Sequence, residues 1–278
     1  MSIINNNLNI FNVTNRADSL LDELYCHPAG VGKENFPDNY LECKSGDNIM
    51  DKDPYYAEYV FYYWFWKNCL KDYEKESWIG FCQYRRYWLK ENHDQNLIIT
   101  RENLKNNMLN SIPSSWSNYD SVIAKRIYVD NPKFTKFIKK GFRNFIKDPT
   151  ILFDKKKQSI KLHFDMFHGY GKLDKAINLL EKKERDDFRE YVNKNTFFNP
   201  NHMVISNPKI MNEWFKSVFS WLLKCEDVFV FKNLLGYEKR FYGYLAERYL
   251  SYWFNKYTSP IEWPWIFVDM NNGKRTDV

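Results

Sequence analysis

Two adjacent arginines follow an apolar run in the segment SWIGFCQYRRYW, residues 77–88. The run from Trp78 to Gln83 has the composition of a buried strand, whereas Arg85 and Arg86 bring two permanent charges among aromatic neighbours. A guanidinium group binds phosphate oxygens through two hydrogen bonds, and open α/β sheets bind ligands beyond the carboxyl ends of their strands. The segment is therefore a candidate phosphate-binding site, although its spacing alone favours the other arrangement. The alternative is that one arginine pairs with a buried carboxylate while the other reaches solvent.

A carboxylate suited to such a pair lies upstream, in residues 55–66. Nine of these twelve residues are aromatic, and only Glu58 is charged. A helix that is apolar on all sides is expected to be buried. Because a buried carboxylate needs a cationic partner or has a raised pKa, we expect Glu58 to pair with Arg85 or Arg86.

A second group of chemically active side chains occurs in the segment HFDMFHGYGKLD, residues 163–174. Its members are His163, Asp165, His168 and Asp174. Histidine and aspartate are common proton carriers, so the segment is consistent with a loop that delivers an acid or a base. The residues alone favour another interpretation, a helix–loop–helix joint in which Gly169 and Gly171 provide the backbone shape.

Two later segments also bring polar groups together. In YEKRFYGYLAERYL, helical spacing places four residues on one face: Arg240, Gly243, Tyr244 and Glu247. Such a face indicates either a ligand site, which Gly243 would let a partner approach closely, or a salt-bridged surface. In FFNPNHMVI, Asn201 and His202 follow a proline, and a turn explains them better than a site does.

Composition and motifs exclude several classes of function. The chain has 278 residues, of which 41 are basic and 35 acidic, and this near balance argues against a nucleic-acid-binding protein, although YRRYW alone has the content of an aromatic–arginine platform. No CxxC, HxxxH or HExxH motif occurs, which argues against a zinc site. No Walker, GxGxxG or GxSxG motif occurs, which argues against a kinase, a dehydrogenase or a serine hydrolase. The segment DKD has the DxD form, but Asp53 is better explained as a helix cap. We therefore predict no protein-held metal site.

The sequence also carries no sign of a membrane span or a signal peptide. Its first residues lack a basic start and a long apolar run, and no stretch of about 18 apolar residues occurs. We expect a reduced, soluble and cytoplasmic protein, with peripheral contact to the inner face of a membrane left open.

Short apolar runs alternate with longer helical patterns, which predicts an α/β fold with a central, mostly parallel sheet flanked by helices and a helical C-terminal part. The predicted strands are Leu8–Val13, Trp78–Gln83, Ser121–Ala124 and His202–Ser206. Each of three predicted helices begins with an N-cap followed by proline, the caps being Asp53, Asn131 and Asn207. Two further helices are predicted at about residues 172–194 and 237–255. Residues 144–161 are the most loop-like, and fit a mobile cover or a surface excursion.

Four of these segments together resemble the DUF4422 family. They are SGDNIMDKDPYYAEYVFYYWFWKN, WIGFCQYRRYW, FHGYGKLD and GYEKRFYGYLAERYLSYWF, in the family's order and over residues 45–254. Members carry GDNI, then NPYY or a similar sequence before an aromatic helix, then an IGxxHYRRYF strand, and finally an FGxLxERL helix. The HYRRYF-like strand and the late helix are the most specific parts of the resemblance.

The resemblance implies a GT-A-like glycosyltransferase of one domain, 1–278, with a nucleotide-sugar-binding half of about 1–130 and a helix-rich acceptor half of about 131–278. Such enzymes move a sugar from a nucleoside diphosphate donor, here most simply a UDP-sugar, to a capsular or other cell-surface polysaccharide or to a lipid-linked glycan. Some relatives are similar to galactofuranosyltransferases. The implied donor-binding positions are Asp47, Asn48, Glu58, Gln83, Tyr84, Arg85, Arg86, Arg240 and Arg248.

The expected mechanism assigns the opening arginines a role. Arg85 and Arg86 would hold the donor diphosphate and stabilise the leaving group, with Glu58 positioning them and Tyr84 and Trp88 forming a platform for the sugar or base. GT-A enzymes commonly use Mn²⁺ or Mg²⁺ for this charge, so a metal requirement stays open. An inverting transfer also needs a base, and the predicted order is Asp174, then Glu247 and His168.

One position departs from the family pattern, because Gln83 stands where members have histidine. Glutamine can form hydrogen bonds but cannot shuttle a proton. If the histidine were the family's base, this protein would be slow or inactive; if it only orients the donor, glutamine can replace it. The alternative function is therefore a glycan- or nucleotide-binding module of the same fold without turnover.

Overall fold

A central β-sheet organises the computed structural model, which describes residues 7–94, 96–130, 141–234 and 236–269. The strands in these ranges are β1 (Leu8–Thr14), β2 (His27–Gly30), β3 (Leu41–Glu42), β4 (Trp78–Gln83), β5 (Arg86–Trp88), β6 (Ser121–Ala124), β7 (Ile127–Tyr128), β8 (Phe197–Phe198), β9 (Val204–Ser206), β10 (Pro260–Trp263) and β11 (Trp265–Phe267).

The main path through the sheet has the order β3-β2-β1-β4-β9-β6-β10. On this path β9 alone runs antiparallel to its neighbours, while the other strands share one direction. The short β5 pairs with β4 and with β11, and β7 pairs with β8 in a separate two-stranded ribbon. The predicted α/β fold with a mostly parallel sheet is confirmed.

All four predicted strands are present. The strands at 78–83 and 121–124 have the predicted bounds, β1 extends one residue further to Thr14, and β9 begins two residues later, at Val204. The strands that the sequence did not indicate are short or lie at the sheet's edges, where few apolar residues mark them. The central β4 was predictable because both of its faces are buried, so its sequence is almost wholly apolar.

Helices cover the two faces of the sheet. Among the described residues they are α1 (Asp53–Tyr56), α2 (Tyr59–Asn68), α3 (Leu104–Asn107), α4 (Phe142–Lys147), α5 (Ile160–His168), α6 (Lys172–Ile177), α7 (Lys182–Lys194), α8 (Pro208–Glu226) and α9 (Phe241–Tyr257). The C-terminal part is helical, as predicted. Within the same ranges, none of these helices combines the length and the apolar character needed to cross a membrane.

The predicted aromatic helix is buried, but it is broken in two. Its first turn, α1, ends at Ala57, whose φ of 52° and ψ of −130° interrupt the helical path before α2 begins. Rings from α2 pack against β4 and α8, for example Tyr62 on Phe81 with centroids 4.4 Å apart. The break directs Glu58 away from this apolar core, which explains how one carboxylate can exist in a wall of rings.

The other predicted helix boundaries agree only in part. Asn207 caps α8 by accepting a hydrogen bond from the Ile210 amide at 3.0 Å, as predicted. Asp53 is not a capping residue; it is the first residue of α1, and its carboxylate accepts no capping hydrogen bond. The cap predicted at Asn131 lies outside the described residues.

Two long predicted helices are shorter in the structure. The helix expected over 172–194 is divided into α6 and α7. The one expected from residue 237 begins as a 3-10 turn, Gly236–Arg240, and continues as α9 to Tyr257. The joint predicted at 163–174 is confirmed: α5 ends at Gly169, with φ 115°, and Gly171, with φ 71°, precedes α6. These positive φ values are easy for glycine and costly for other residues.

Candidate active site

A cleft of two adjoining lobes lies at the carboxyl ends of β1, β2 and β4. One lobe, of about 320 Å³, contains Tyr84 and Arg85 and is called the arginine lobe here. The other, of about 360 Å³, contains Glu247 and Arg248 and is called the glutamate lobe. The residues that line both lobes are Ala57, Glu58, Gln83, Arg86 and Arg240. The cleft therefore occupies the position at which open α/β sheets bind ligands.

The antiparallel direction of β9 explains why a late segment reaches this edge. Phe81 of β4 is paired with Val204 of β9, so the residues just before Val204 lie beside the end of β4. In this way Asn201 and His202 enter the glutamate lobe, next to Gln83. Sequence analysis assigned these two residues to a turn. The turn is real, and it also lines the cleft.

The two adjacent arginines of the segment 77–88 lie at the tight connection between β4 and β5. Gln83 and Arg86 are paired across this hairpin, and Arg85 sits in its turn with a φ of 72°. Arg85 faces the arginine lobe, whereas Arg86 lines both lobes. Burial lowers the pKa of Arg86, and the negative charges of Glu58 and Glu247 oppose this shift. The guanidinium of Arg86 thus remains a cation in a half-buried position, where it interacts strongly with an anion.

Backbone strain is concentrated at this cleft. Among the described residues, the non-glycine residues with positive φ are Ala57, Arg85, Asn201 and His202. All of them line one lobe or both. Residues outside glycine adopt such angles at a cost of about 1–3 kcal/mol, and they occur preferentially at functional sites. Strain therefore identifies the same place as the strand ends do.

The strain at Ala57 gives a stability prediction. Ala57→Gly should raise the melting temperature by about 2–4 °C, because glycine relieves strain of about 1–3 kcal/mol and loses about 0.5–1 kcal/mol in backbone entropy. Calorimetric unfolding measures the change. As a control, Ala246→Gly inside α9 should lower the melting temperature, since glycine is a poor helix former. A lower melting temperature for Ala57→Gly would mean that its backbone angles are not a source of strain.

Glu58 is paired with Arg240, which corrects the expected pairing with Arg85 or Arg86. One Arg240 nitrogen, Nη2, donates to both carboxylate oxygens at 2.8 and 3.0 Å. Burial alone would raise the pKa of Glu58, but the charge of Arg240 outweighs it, so the pKa lies below its usual value. Glu58 therefore positions Arg240 at the junction of the two lobes. The effect of Glu58 on Arg86 is electrostatic and acts over a longer distance.

The glutamate lobe is built around an ion pair on α9. Glu247 accepts a hydrogen bond from the Asn201 amide at 2.7 Å and pairs with Arg248, whose side chain is only 1% exposed. Burial tends to raise the pKa of Glu247, but the charge of Arg248 and the hydrogen bond from the Asn201 amide hold it below its usual value. The carboxylate is therefore ionised at neutral pH and still presents lone pairs to the cleft.

Arg248 also organises two histidines of α5. Its Nη2 lies 3.3 Å from Nδ1 of His163 and 3.3 Å from Nε2 of His168. An arginine only donates, so each of these ring nitrogens acts as the acceptor in its contact with Arg248. His168 also stacks on Tyr244, with centroids 3.9 Å apart. The segment 163–174 thus contributes both of its histidines to the lobe.

His202 is a third imidazole in this lobe. Its side chain is buried, and its Nδ1 makes no hydrogen bond with any described residue. Burial lowers its pKa, although the carboxylates of Glu247 and Glu58 act in the opposite direction. His202 is therefore neutral at neutral pH and offers a free ring nitrogen beside Glu247.

Gln83 connects the two walls of the cleft. Its Nε2 donates to the Asn201 carbonyl at 2.7 Å, and its Oε1 accepts from Arg86 at 3.4 Å. A neutral imidazole offers one donor and one acceptor in the same way. In this structure the position that departs from the family pattern holds Arg86 and the strained turn in place.

Several predicted site residues lie away from the cleft lining. Asp174 is ion-paired with Lys161 at 3.1 Å, and neither lobe includes it. Asp47 and Asn48 belong to a surface turn in which the Asn68 side chain bonds the Asp47 backbone. Trp88 is buried and donates to the Phe81 carbonyl at 3.0 Å, so it cannot serve as the expected platform.

Tyr84, by contrast, lines the arginine lobe. The guanidinium of Arg16 lies 4.5 Å from the centroid of the Tyr84 ring, and Arg16 also donates to the Tyr84 hydroxyl. The N-terminal stretch contributes further, since Val13, Asn15 and Val31 line the same lobe. A fold-level signal was available for these residues, because Val13 lies at the end of β1, Asn15 directly follows β1 and Val31 directly follows β2.

The described lining of the cleft does not supply the ligands of a protein-held metal site. Across the described part of the chain, no group of three or more histidine, cysteine or carboxylate side chains is arranged to bind an ion. Glu58 and Glu247 are each paired with an arginine, which leaves Asp53 as the other carboxylate of the lining. Burial, together with the charge of Glu58, raises the pKa of Asp53. One carboxylate of this kind is a poor match for the several oxygen ligands of Mg²⁺ or Mn²⁺.

Comparisons with known proteins give one family and one fold. The DUF4422 family, described as a domain of unknown function, matches residues 9–258. No curated protein matches the chain. A solved structure described as the apo form of WbbM, a bifunctional glycosyltransferase, is similar with a TM-score of 0.68 and 19% identity. The match covers 95% of this chain and 46% of that one, so this chain spans about half the length of that protein. The likeness shows a shared fold.

Proposed function

The chain belongs to the DUF4422 family, and we propose that it is a glycosyltransferase that moves a sugar from a nucleoside diphosphate donor to a glycan acceptor. One observation carries the proposal. The cleft at the strand ends joins a lobe with three arginines to a lobe with an ionised carboxylate, and Arg86 lines both. An inverting sugar transfer needs this combination, a cation at the leaving diphosphate and a base at the acceptor hydroxyl.

The arginine lobe is the proposed donor site. Arg85 and Arg86 would bind the diphosphate oxygens and stabilise the negative charge that grows on the leaving group. Arg240, held by Glu58, adds a third cation at the junction of the lobes. The charge that a metal would otherwise supply is present in these side chains, and the proposed reaction has no step through a metal. The nucleoside would lie toward Asn15 and Tyr84, at the end of β1.

The glutamate lobe is the proposed acceptor site. Glu247 would take the proton of the acceptor hydroxyl as that oxygen attacks the anomeric carbon from the face opposite the diphosphate. The C–O bond to the diphosphate breaks, and the transferred sugar is inverted. His168 is less available as a base in this geometry, because its Nε2 lone pair already faces Arg248, whereas the Glu247 carboxylate has lone pairs beyond those that accept from Arg248 and the Asn201 amide. Arg248 and the Asn201 amide act as positioning groups, since they fix the orientation of the carboxylate.

The lining of the lobes supports a division into the two halves that the sequence suggested. Apart from Arg240, the arginine lobe is lined by residues before 87, whereas most of the glutamate lobe comes from residues after 126. We propose a donor half and an acceptor half on this basis. By family resemblance, a UDP-sugar, with galactofuranose among the sugars, is the first donor to test. A cell-surface polysaccharide or lipid-linked glycan is the first acceptor.

Isothermal titration with UDP, GDP and CDP, each with and without Mn²⁺, tests the donor site directly. We expect one of these diphosphates to bind without the metal, because the arginines supply the positive charge. Its sugar conjugate should then release free nucleotide, slowly with water and faster with an acceptor. Binding without release would favour a nucleotide-binding module of the same fold. Absence of binding in the folded protein would refute the donor site.

A further inference from the structure

Large apolar side chains are exposed on the segment 142–157, called the basic hairpin here, which leads into the cleft-lining helix α5. The exposed fraction is 56% for Phe142, 63% for Ile146 and 88% for Phe153. Single exposed apolar residues are common on protein surfaces, but three on one short segment mark a contact surface. None of the three lines the cleft.

These side chains are exposed although the hairpin has a small core of its own. Ile151 packs with Leu162 and Met166 of α5, and Phe145 is partly buried against the same cluster. Asn144 also lies 3.5 Å from the carboxylate of Asp165 on α5. The hairpin is thus fixed to α5 through one face, and Phe142, Ile146 and Phe153 project from its other surfaces.

Basic residues lie between the exposed apolar ones. Arg143, Lys147, Lys155 and Lys156 are exposed on the hairpin. Its two acidic residues are occupied locally: Asp148 pairs with Lys157 at 2.7 Å, and Asp154 accepts a hydrogen bond from the Lys156 amide at 3.0 Å. The surface is therefore cationic as well as apolar.

We propose that the basic hairpin is the surface through which this protein docks on an anionic lipid bilayer. Apolar side chains that insert at the boundary of headgroups and acyl chains, combined with lysines that face anionic headgroups, are the two components of reversible membrane binding. A nucleic acid would use the cations but offers no apolar phase for Phe153. A bilayer satisfies both at once.

Docking there would place the cleft close to the membrane. Lys157 precedes α5 by only a few residues, and α5 carries both His163 and His168 into the glutamate lobe. At a rise of about 1.5 Å per residue, this nine-residue helix spans only about 14 Å. An acceptor attached to a lipid would then reach the glutamate lobe without leaving the bilayer. The docking itself does not depend on the proposed reaction.

Vesicle co-sedimentation tests the docking. We expect the full chain to pellet with vesicles of phosphatidylcholine containing about 30% phosphatidylglycerol, and to stay largely in the supernatant with phosphatidylcholine alone. Phe142→Ser/Ile146→Ser/Phe153→Ser should reduce the bound fraction at least about tenfold. Lys147→Gln/Lys155→Gln/Lys156→Gln should reduce the affinity for anionic vesicles about fivefold per lysine, and added salt should also reduce this affinity. Lys157 is left unchanged because it holds Asp148.

Matched controls test whether vesicle binding depends on the basic hairpin or only on the overall charge and apolar character of the protein surface. Lys71→Gln/Lys75→Gln/Lys183→Gln removes three exposed lysines elsewhere, and Ile98→Ser/Val228→Ser removes two exposed apolar side chains elsewhere. Both controls should bind vesicles as the unchanged protein does. Equal losses in the controls, or no binding of the unchanged protein to anionic vesicles, would overturn the proposal. Nucleotide titration on the hairpin variants should be unaffected, so failure here and failure of the donor site give different results.

Discussion

Arg85→Ala/Arg86→Ala is expected to weaken nucleoside diphosphate binding by a factor of about 10²–10⁴. A hydrogen bond to a charged group contributes about 1.5–3 kcal/mol, and the double replacement removes two guanidinium groups from the arginine lobe. The fold should survive. Alanine tolerates the left-handed turn at position 85 about as well as arginine does, and the backbone bond from Val268 to the Arg85 carbonyl is kept. Isothermal titration of wild type and variant measures the change.

A pair of arginines on α7 provides the control for this experiment. Arg185→Ala/Arg189→Ala removes the same charge far from the cleft lining, and we expect its dissociation constant to stay within about threefold of wild type. If the Arg85/Arg86 variant also stays within that range while remaining folded, the diphosphate does not bind in the arginine lobe. Weaker diphosphate binding by both variants would instead indicate a general electrostatic effect.

Glu247→Gln should reduce the rate of transfer about 10²–10⁴-fold, because glutamine cannot accept the acceptor's proton. The substitution also removes the ion pair between Glu247 and the buried Arg248, and removal of one member of such a pair costs about 3–5 kcal/mol of stability. Donor affinity should change little, since Glu247 lies in the other lobe. Rate and affinity measured on the same folded sample separate a catalytic role from a structural one.

Glu247→Asp is the companion variant. It keeps the charge beside Arg248 and shortens the side chain by one methylene, so we expect a stable protein with a rate reduced about 10²-fold by the displaced carboxylate. The pH profile gives an independent check. Because the pKa of Glu247 lies below its usual value, wild-type activity should persist from about pH 8 down to about pH 5. An acidic limb near pH 6.5 would identify a histidine as the base instead.

Strand positions and the arginine pair were readable from sequence because each depends on local pattern. The apolar run of β4 is continuous, and the charged residues directly after it must lie at a strand end. The partner of Glu58 was not readable. Arg240 is 182 residues away along the chain, and only the packing of α9 against α1 brings the two together. A nearby arginine was the natural expectation, and tertiary structure selected a distant one.

Backbone angles were the second kind of feature that could not be predicted from the sequence. An alanine at position 57 gives no indication of a positive φ, so the break between α1 and α2 could not be predicted. The role of His202 depended on the direction of β9, which an apolar run does not specify. The sequence-based order placed Asp174 before Glu247, although both are carboxylates in helical segments and no local pattern separates them. Their difference lies in which one faces the cleft and which one pairs with Lys161.

The cleft is lined by residues as far apart in sequence as Val13 and Arg248, and this separation has a thermodynamic consequence. A continuous fragment that contains the complete lining must run at least from Val13 to Arg248, so the site exists only when the sheet and α9 are folded together. A bound ligand adds RT ln(1 + [L]/Kd) to the free energy of unfolding of that whole unit. In the language of polymer physics, the ligand acts as a reversible cross-link between the beginning and the end of the chain.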